Sequence, residues 1–313
     1  MISGYDIIGD IHGHASQLEA LLYKLEYKCI DGVFEHSSRQ VLFVGDLIDR
    51  GGENKKAVQV VQAMVESNTA KCILGNHELN AIAFHTLNPQ GGWIRERSNK
   101  NRKQHSAFTT EFDEANQEDL ASCLTFFKSL PLFLDLGELR LIHACWHEPL
   151  LKDITTLLGE DHCLTEEVIH DSHTRGKVAF EAVDVLLKGH EIQLPGDVTF
   201  PDKDGNIRDK MRTKWWINNP QNLEEYSLLS QYLLKQHLGL PIPQEQMIGY
   251  PGDAPPLFIG HYWEQGDPVP FANNVACVDY SMGKGRANGG NLVAYRWDGE
   301  SILKQEKFTK LFD

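Results

Sequence analysis

The sequence predicts an α/β fold, because short apolar runs alternate with helical patterns along the first part of the chain. Three runs have the length and composition of buried strands, at 5–8, 41–44 and 71–74. Each run ends at a glycine and is followed by apolar side chains at helical spacing. Strands that alternate with helices are typical of a layered α/β core.

A short polar block containing glycine follows each of the three strands. The blocks are Gly9-Asp10-Ile11-His12-Gly13, Gly45-Asp46-Leu47-Ile48-Asp49-Arg50-Gly51 and Gly75-Asn76-His77-Glu78. Glycine lets the backbone turn sharply at the end of a strand. The next side chain then points into the crevice beyond the carboxyl edge of the sheet, where α/β sheets bind ligands. Asp, His and Asn side chains suit Mn, Fe, Zn or Mg rather than a thiolate-bound metal.

The helices that follow the blocks are predicted near 18–25, at 54–67 and at 78–84, from the spacing of their apolar residues. Two later apolar runs end in a histidine, His143 and His261. Further strand-like segments lie around 275–279 and 289–295. Because the connections after residue 255 are short, we expect a second sheet stacked on the first.

Composition excludes several classes of protein. The net charge of −14 disfavours a non-specific binder of nucleic acid or of a membrane surface, which needs a basic face. No stretch approaches the ~18 apolar residues of a membrane span, and no signal peptide is visible at the N-terminus. The six cysteines form no CxxC pair, which indicates free thiols in a reducing compartment. We therefore expect a cytoplasmic protein.

The blocks, the strands that end in His143 and His261, and the segment Gly289 to Tyr295 resemble the phosphoprotein phosphatase branch of the metallophosphoesterase (calcineurin-like) superfamily. The closest resemblance is to its bacterial diadenosine tetraphosphatase-like members. It covers roughly residues 1–150 and 255–300. It implies a four-layer αββα sandwich, two stacked mixed β-sheets flanked by helices. We expect a catalytic core at 1–150 and 255–313, and an inserted cap region of helices and loops at 151–254.

The resemblance also implies two divalent metal ions, with Mn²⁺ expected first and Fe, Zn, Ni or Mg as alternatives. The implied ligands are Asp10 and His12 for the first ion, Asp46 as the bridge, and Asn76, His143 and His261 for the second. Side chains two residues apart in extended backbone project to the same side. The spacing of Asp10 and His12 therefore lets both reach one ion.

A second Gly-His pair, Gly189-His190, is a rival for the last ligand. It follows apolar residues at helical spacing, so Gly189 is predicted to end a helix and His190 to begin a loop. His261 instead ends an apolar strand-like run. The pattern favours His261.

The resemblance assigns His77 as the general acid for the leaving oxygen. Asp49 would orient His77 and keep it protonated, since a neighbouring carboxylate raises a histidine pKa. Arg50 would offer a planar fork to two phosphate oxygens, next to Asn76. The implied mechanism is direct in-line attack of a metal-bridging hydroxide on phosphorus. Glu78 receives no chemical role, because a carboxylate in the first turn of a helix is explained by the helix dipole.

Residues 88–118 are polar and turn-rich and contain a basic cluster. They are predicted to form either a solvated loop or a lid that carries an extra phosphate contact. Arg102, with Asn101 and His105 beside it, is the candidate for that contact. Arg212 is a further candidate for a second phosphate arginine.

Three functions are consistent with the sequence. The first is a metal-dependent phosphatase that hydrolyses phosphomonoesters, either on phosphoserine or phosphothreonine proteins or in small molecules. The second is hydrolysis of a dinucleoside polyphosphate by the same metal centre. The third is a catalytically inactive binding protein, which predicts losses among the six ligands, and none is missing. A phosphorylated substrate is the expected partner. The metal site indicates the bond type and not the group beyond the phosphate, so the first two functions both stay open.

Overall fold

The computed structural model describes residues 2–112, 117–194, 199–201, 207–228, 242 and 244–313. Its strands are β1 (Gly4–Ile8), β2 (Lys28–Ile30), β3 (Val33–Glu35), β4 (Arg39–Phe43), β5 (Ala70–Cys72), β6 (Phe133–Asp135), β7 (Arg140–Ile142), β8 (Glu191–Gln193), β9 (Phe200–Pro201), β10 (Ile207–Arg208), β11 (Lys210–Arg212), β12 (Leu257–Ile259), β13 (Val275–Cys277), β14 (Asp279–Tyr280), β15 (Asn291–Trp297) and β16 (Phe308–Lys310). Its α-helices are α1 (Ala15–Lys24), α2 (Asn54–Glu66), α3 (Asn76–His85), α4 (Asn99–Gln104), α5 (Ser106–Glu111), α6 (Gln117–Lys128), α7 (Glu148–Thr155), α8 (Glu166–Asp171), α9 (Val178–Lys188) and α10 (Leu223–Tyr226). Short 3-10 turns are at Glu160–His162, Gln244–Gln246, Met282–Lys284, Arg286–Asn288 and Gln305–Lys307.

The first sheet has the strand order β14-β15-β1-β4-β5, with β16 paired to β15. Strand β1 is parallel to β4, and β4 is parallel to β5. In the register of these pairs Ile8 lies opposite Phe43, and Phe43 lies opposite Cys72. The three polar blocks that follow these strands therefore leave the sheet at one edge.

The second sheet has the order β13-β12-β7-β6 and is also mixed. Strand β12 is parallel to both β13 and β7, whereas β6 is antiparallel to β7. Because β7 and β12 run in the same direction, the residues that follow them lie at one edge of this sheet. His143 and His261 are delivered there.

Side chains alternate between two apolar layers. Along β1, Ile7 belongs to a buried cluster that also contains Phe258 of the second sheet. Ile8 belongs to another cluster, which it shares with Leu18 of α1 and Val61 of α2. This period of two places one face of the first sheet against the second sheet and the other face against helices. The predicted αββα sandwich is confirmed.

Strand β1 is tied to both of its neighbours through the buried carboxylate of Asp6. Asp6 accepts hydrogen bonds from Arg39 at 3.0 Å and from Arg296 at 2.9 Å. Tyr27 donates a third hydrogen bond to it, at 3.1 Å. A buried charge needs such partners, and here the partners come from β4, β15 and the segment after α1.

The polar segment 88–118 contains more helix than the loop interpretation predicts. It forms α4 and α5, and α6 begins at Gln117, while residues 113–116 lie outside the described part of the chain. Ser98 caps α4 by accepting a hydrogen bond from the Asn101 backbone at 3.3 Å. Helix α5 buries Phe108 against the core. These two anchors explain why a polar sequence is helical here.

The predicted cap region at 151–254 begins with helices that pack on the predicted core. Helix α8 contacts α3, and α9 contacts α7 and α8. Parts of the region, at 195–198, 202–206, 229–241 and 243, lie outside the described residues. The division into a core of 1–150 and 255–313 and a cap stays a prediction. Of the helices in the described residues, none combines the length and apolar character needed to cross a membrane.

Candidate functional site

The loops at the carboxyl edge of the sheets adopt backbone conformations that L-residues rarely occupy. Left-handed backbone is found at His12 (φ 48°), Asp46 (φ 50°), Asp49 (φ 69°), Arg50 (φ 71°) and His261 (φ 71°). Such conformations cost free energy and persist only where the surrounding structure imposes them. Their concentration at the predicted site residues indicates a functional site.

Two glycines let the polar blocks approach each other closely. A Cβ atom on Gly75 would lie 2.3 Å from the backbone nitrogen of Asp46. A Cβ atom on Gly260 would lie 2.1 Å from Oδ1 of Asp10. Both distances are far inside van der Waals contact, so only glycine fits at either position.

Glu78 holds two of the blocks together, a role that the helix-dipole interpretation missed. Its buried carboxylate accepts hydrogen bonds from the backbone of Asp46 at 2.8 Å, Leu47 at 2.8 Å and Gly75 at 3.0 Å. Burial, and then the charge of Asp46, raises the pKa of Glu78 to about 7. The sequence places Glu78 on α3 but gives no sign of its contacts with Asp46 and Leu47, which span 32 and 31 positions.

The predicted metal ligands converge around the Asp46 carboxylate. Its Oδ2 lies 3.7 Å from Nε2 of His12, and its Oδ1 lies 3.4 Å from Nε2 of His143. Oδ1 of Asn76 lies 3.2 Å from Nε2 of His143 and 2.8 Å from Nδ1 of His261. Among the residues that the structure describes, two groups have a geometry that could hold an ion: His12, Asp46 and His77, and Asp46, His143 and His261.

Asp10 lies beside both groups. Its Oδ2 is 3.9 Å from Nε2 of His12 and accepts a hydrogen bond from the His261 backbone at 3.1 Å. Burial raises the pKa of Asp10 well above its usual range, and the charges of Asp279 and Asp46 raise it further. A cation between these carboxylates would reverse that effect, because it favours their charged forms.

Buried atoms without partners support a metal centre at this place. Oδ1 of Asp10, Nε2 of His12 and Nε2 of His261 are buried and have no hydrogen-bond partner. Buried polar atoms almost always have a partner. Burial, together with the charge of His77, lowers the pKa of His12 to about 4, so its imidazole is neutral and able to bind a metal. The oxygen and imidazole donors fit two divalent ions such as Mn²⁺ or Fe²⁺.

Asp279 is a buried carboxylate at the site that the sequence interpretation did not single out. It accepts hydrogen bonds from the backbone of Trp263 at 2.7 Å and of Ser281 at 2.9 Å. Burial is the main cause that raises the pKa of Asp279 to about 6. A sequence signal existed, because Asp279 follows the apolar run of β13 in the same way that Asp10 follows β1.

His77 and Asp49 form the predicted pair. Nδ1 of His77 lies 2.5 Å from Oδ2 of Asp49, and Nε2 of His77 lies 3.9 Å from Oδ2 of Asp46. Burial acts to lower the pKa of His77, but the charge of Asp46 and the hydrogen bond with Asp49 raise it above its ordinary value. Burial would raise the pKa of Asp49, yet hydrogen bonds from His105 and His77 lower it to about 2.

His105 contacts Asp49 rather than facing solvent as part of a lid. Its Nδ1 lies 2.9 Å from Oδ1 of Asp49, and the side chain is fully buried. The ring stacks on Phe108, with ring centroids 4.7 Å apart. The segment of α4 and α5 is thereby anchored to the carboxylate that holds His77. The sequence offered no signal for this contact across 56 positions.

The candidate arginines occupy different places. Arg50 is exposed, and its guanidinium lies 5.3 Å from the centroid of the Trp263 ring. Arg102 is also exposed, but its Nε donates to the carbonyl of Arg97 at 2.9 Å, and the structure does not bring it to the metal ligands. Burial is the main cause that lowers the pKa of His261, and the charges of His143 and Arg212 lower it further. A phosphate contact from Arg102 stays a prediction.

The rival histidine lies outside the cluster. Gly189 ends α9 with φ 91°, as predicted. His190 is buried, and its Nδ1 lies 2.9 Å from the hydroxyl oxygen of Thr213. His261, not His190, is therefore the histidine that accompanies His143.

Comparisons with known proteins agree with this geometry. A family model described as calcineurin-like phosphoesterase matches residues 5–194. The chain is 34% identical over 146 residues to the asymmetrical bis(5'-nucleosyl)-tetraphosphatase PrpE of Oceanobacillus iheyensis, covering 44% of the chain and 54% of that protein. It is 31% identical over 149 residues to PrpE of Bacillus subtilis, covering 45% and 57% respectively. The chain thus spans about half the length of these curated relatives.

Solved structures are similar over most of the chain, at low identity. A cold-active protein-tyrosine phosphatase from Shewanella has a TM-score of 0.49 and 16% identity, covering 99% of the chain and 81% of that protein. A serine/threonine phosphatase from Saccharomyces cerevisiae has a TM-score of 0.49 and 13% identity, covering 98% and 78%. These likenesses are too weak to indicate an activity. The family model covers more than half of the chain, and the chain belongs to the calcineurin-like phosphoesterase family.

Proposed function

We propose that this chain is a metal-dependent hydrolase of dinucleoside polyphosphates such as diadenosine tetraphosphate. This makes the second of the functions predicted from the sequence the leading one. The observation that carries it is the match to bis(5'-nucleosyl)-tetraphosphatases, at 34% identity over 146 residues and 31% over 149 residues. The rim of the site fits a substrate with several phosphates, because two cations lie there. The Arg50 guanidinium and the Lys284 ammonium are 5.3 Å and 5.6 Å from the centroid of the Trp263 ring, and neither has an ion-pair partner in the described residues.

The residues of the chain have distinct roles in this proposal. Asp10, His12, Asp46, Asn76, His143 and His261 would hold two divalent ions, of which Mn²⁺ is the first candidate. When bound, the ions would activate the attacking water and stabilise charge on the phosphate oxygens. Arg50 would bind two non-bridging oxygens of the scissile phosphate through its planar guanidinium.

His77 would complete the reaction as the general acid. Because Asp49 holds Nδ1, the Nε2 atom of His77 faces the centre, 3.9 Å from the Asp46 carboxylate. As water oxygen bonds to phosphorus, the phosphoanhydride P–O bond breaks and the leaving phosphate oxygen takes the Nε2 proton. Solvent receives the protons of the attacking water, and His77 is protonated again before the next turnover.

The test is product analysis with purified protein, added Mn²⁺ and diadenosine tetraphosphate. Asp46→Ala is the inactive blank. Expected products are a nucleoside mono- and triphosphate for asymmetrical cleavage, or two diphosphates for symmetrical cleavage. The proposal is wrong if the dinucleotide stays intact while an aryl phosphate is hydrolysed.

Phosphomonoester hydrolysis is the second candidate, and the buried His77–Asp49 pair favours it. A serine alkoxide needs protonation as it leaves, whereas a leaving phosphate is already a weak base. His77→Asn is therefore expected to slow hydrolysis of a phosphoserine peptide by about 10²-fold or more. Hydrolysis of diadenosine tetraphosphate should slow much less. If a phosphoserine peptide is the better substrate of the wild-type protein by kcat/KM, this second candidate replaces the first.

A further inference from the structure

The indole ring of Trp263 lies at the edge of the cluster of candidate metal ligands. Its centroid lies 5.4 Å from the ring centroid of His12. The backbone of Trp263 is left-handed, with φ 56°, and is fixed by two hydrogen bonds. Its N–H donates to Asp279 at 2.7 Å, and its carbonyl accepts from the Ser281 hydroxyl at 2.7 Å. The ring is therefore a positioned part of the site rather than a loose surface side chain.

The 3-10 turn Met282–Lys284 approaches both rings because its central residue is glycine. A Cβ atom on Gly283 would lie 2.7 Å from Cδ2 of His12 and 2.8 Å from Cη2 of Trp263. A side chain at position 283 would therefore push the turn away from His12 and Trp263. The turn ends in Lys284, whose Nζ lies 5.6 Å from the centroid of the Trp263 ring.

Two cations thus share one aromatic ring beside the cluster. The guanidinium of Arg50 lies 5.3 Å from the same ring centroid. Neither Arg50 nor Lys284 has a side-chain hydrogen bond or an ion pair within the described ranges, although the net charge of the chain is −14. Both side chains are exposed. Unpaired cations in a strongly acidic protein attract an anionic substrate to the place where they stand.

We propose that Lys284 is the centre of a subsite for the phosphate next to the scissile phosphate in a polyphosphate chain. Arg50 would hold the scissile group, and the ammonium of Lys284, positioned by the Trp263 ring, would bind oxygens of the adjoining group. This inference rests on the proposed function and deepens it. It assigns the preference for linked phosphates to Lys284, because a monophosphate would not reach this subsite.

The test compares tripolyphosphate with orthophosphate as inhibitors of aryl phosphate hydrolysis at a fixed concentration of free Mn²⁺. Lys284→Met removes the charge but keeps an unbranched apolar side chain over the ring. We expect the inhibition constant of tripolyphosphate to rise about tenfold, since one hydrogen bond to a charged group is lost. The constant for orthophosphate is expected to change less than twofold. Calorimetric titration of tripolyphosphate gives the same comparison without catalysis.

Lys28→Met is the matched control. Lys28 is exposed on β2, in the β2–β3 hairpin. This hairpin precedes the start of β4, and the site lies at the opposite end of that strand. It should leave both constants unchanged. Chelation of Mn²⁺ by tripolyphosphate would act equally on all three proteins. Equal constants in the wild type and Lys284→Met would therefore overturn the subsite.

The two proposals can fail separately. If the wild type does not cleave the dinucleotide, the proposed function fails, and the tripolyphosphate titration still decides the role of Lys284. If the dinucleotide is cleaved and Lys284→Met lowers kcat/KM equally for it and for aryl phosphate, the function stands and the subsite is wrong. An orthophosphate constant that rises as much as the tripolyphosphate constant would also overturn the subsite.

Discussion

The two halves of the site differ in how their buried polar atoms are satisfied. In one half, both carboxylate oxygens of Asp49 are hydrogen-bonded, one to His77 and one to His105. Behind this pair, Nε2 of His105 and Nε2 of the adjacent His85 lack partners and lie among aromatic rings. In the other half, Asp10, His12 and His261 each have a buried atom without a partner. The Asp49 carboxylate is therefore satisfied as the chain folds, whereas the atoms of the second half fit a ligand that the chain does not supply.

This difference separates two kinds of preorganisation. The hydrogen bonds of Asp49 orient His77 before any ion arrives, so the orientation of the proposed general acid is a property of the fold. The half with the candidate metal ligands instead brings together carboxylates whose pKa values are raised, as at Asp10 and Asp279. The charged forms of these carboxylates become favourable only when cations are bound. Substitutions in the two halves should therefore affect different measured quantities, the metal content in one case and the pH dependence of kcat in the other.

The largest effect is expected from Asp46→Asn, which removes the charge shared by both ligand groups. We expect kcat/KM to fall by about 10³-fold or more, because stabilisation by the ions is worth several kcal/mol. Steady-state kinetics with measured metal content checks this. Asp253→Asn, at an exposed aspartate, is the control. Full metal content with full activity in Asp46→Asn would remove Asp46 from the centre.

Asp49→Asn should act on the general acid and leave the metal content unchanged. We expect kcat to fall by about 10²-fold for a substrate with a poor leaving group. The Asp49 carboxylate helps to raise the pKa of His77, so its loss lowers that pKa. A general acid is active below its pKa, and the alkaline limb of the kcat profile should therefore move to lower pH. An unmoved limb would contradict the assignment of His77.

His105 should have a smaller effect, because it acts through Asp49. His105→Phe keeps an aromatic ring against Phe108 but removes the donor, and we expect kcat to fall about tenfold with KM nearly unchanged. His105→Gln restores an N–H donor and should recover most of kcat. Equal kinetics in the two variants would show that the hydrogen bond at Asp49 is irrelevant and that packing alone matters.

A separate effect is expected on thermal stability. Mn²⁺ at about one hundred times its Kd should stabilise the folded chain by about 2.7 kcal/mol per site, a rise in Tm of several degrees. The rise is expected in Asp49→Asn and not in Asp46→Asn, which distinguishes the two halves directly. Differential scanning calorimetry with and without EDTA measures it. If Mn²⁺ does not change the Tm of any of these proteins, the buried atoms without hydrogen-bond partners do not bind it.

Sequence reasoning predicted the fold, and it singled out candidate ligands that the structure brings together, because both depend on local patterns. A buried strand, a glycine and a polar side chain are visible within ten residues, and Asp10, Asp46 and Asn76 were found in this way. Glu78, His105 and Asp279 were missed or misinterpreted. Glu78 and His105 contact distant parts of the chain, and no local pattern reports those contacts. Asp279 instead follows an apolar strand and could have been found from the sequence. The helices at 99–111 depend similarly on Ser98 and on burial of Phe108.

The position of β1 between β4 and β15 has a consequence for biosynthesis. Arg296 reaches Asp6 across 290 positions, and the backbone of His261 reaches Asp10 across 251. One edge of β1 therefore stays unpaired until its partner strand β15 has been synthesised. Such long-range pairing is slow, and an open strand edge invites wrong partners. Because His261 follows β12, the proposed metal site is consequently complete only after that strand has been synthesised and has joined the second sheet.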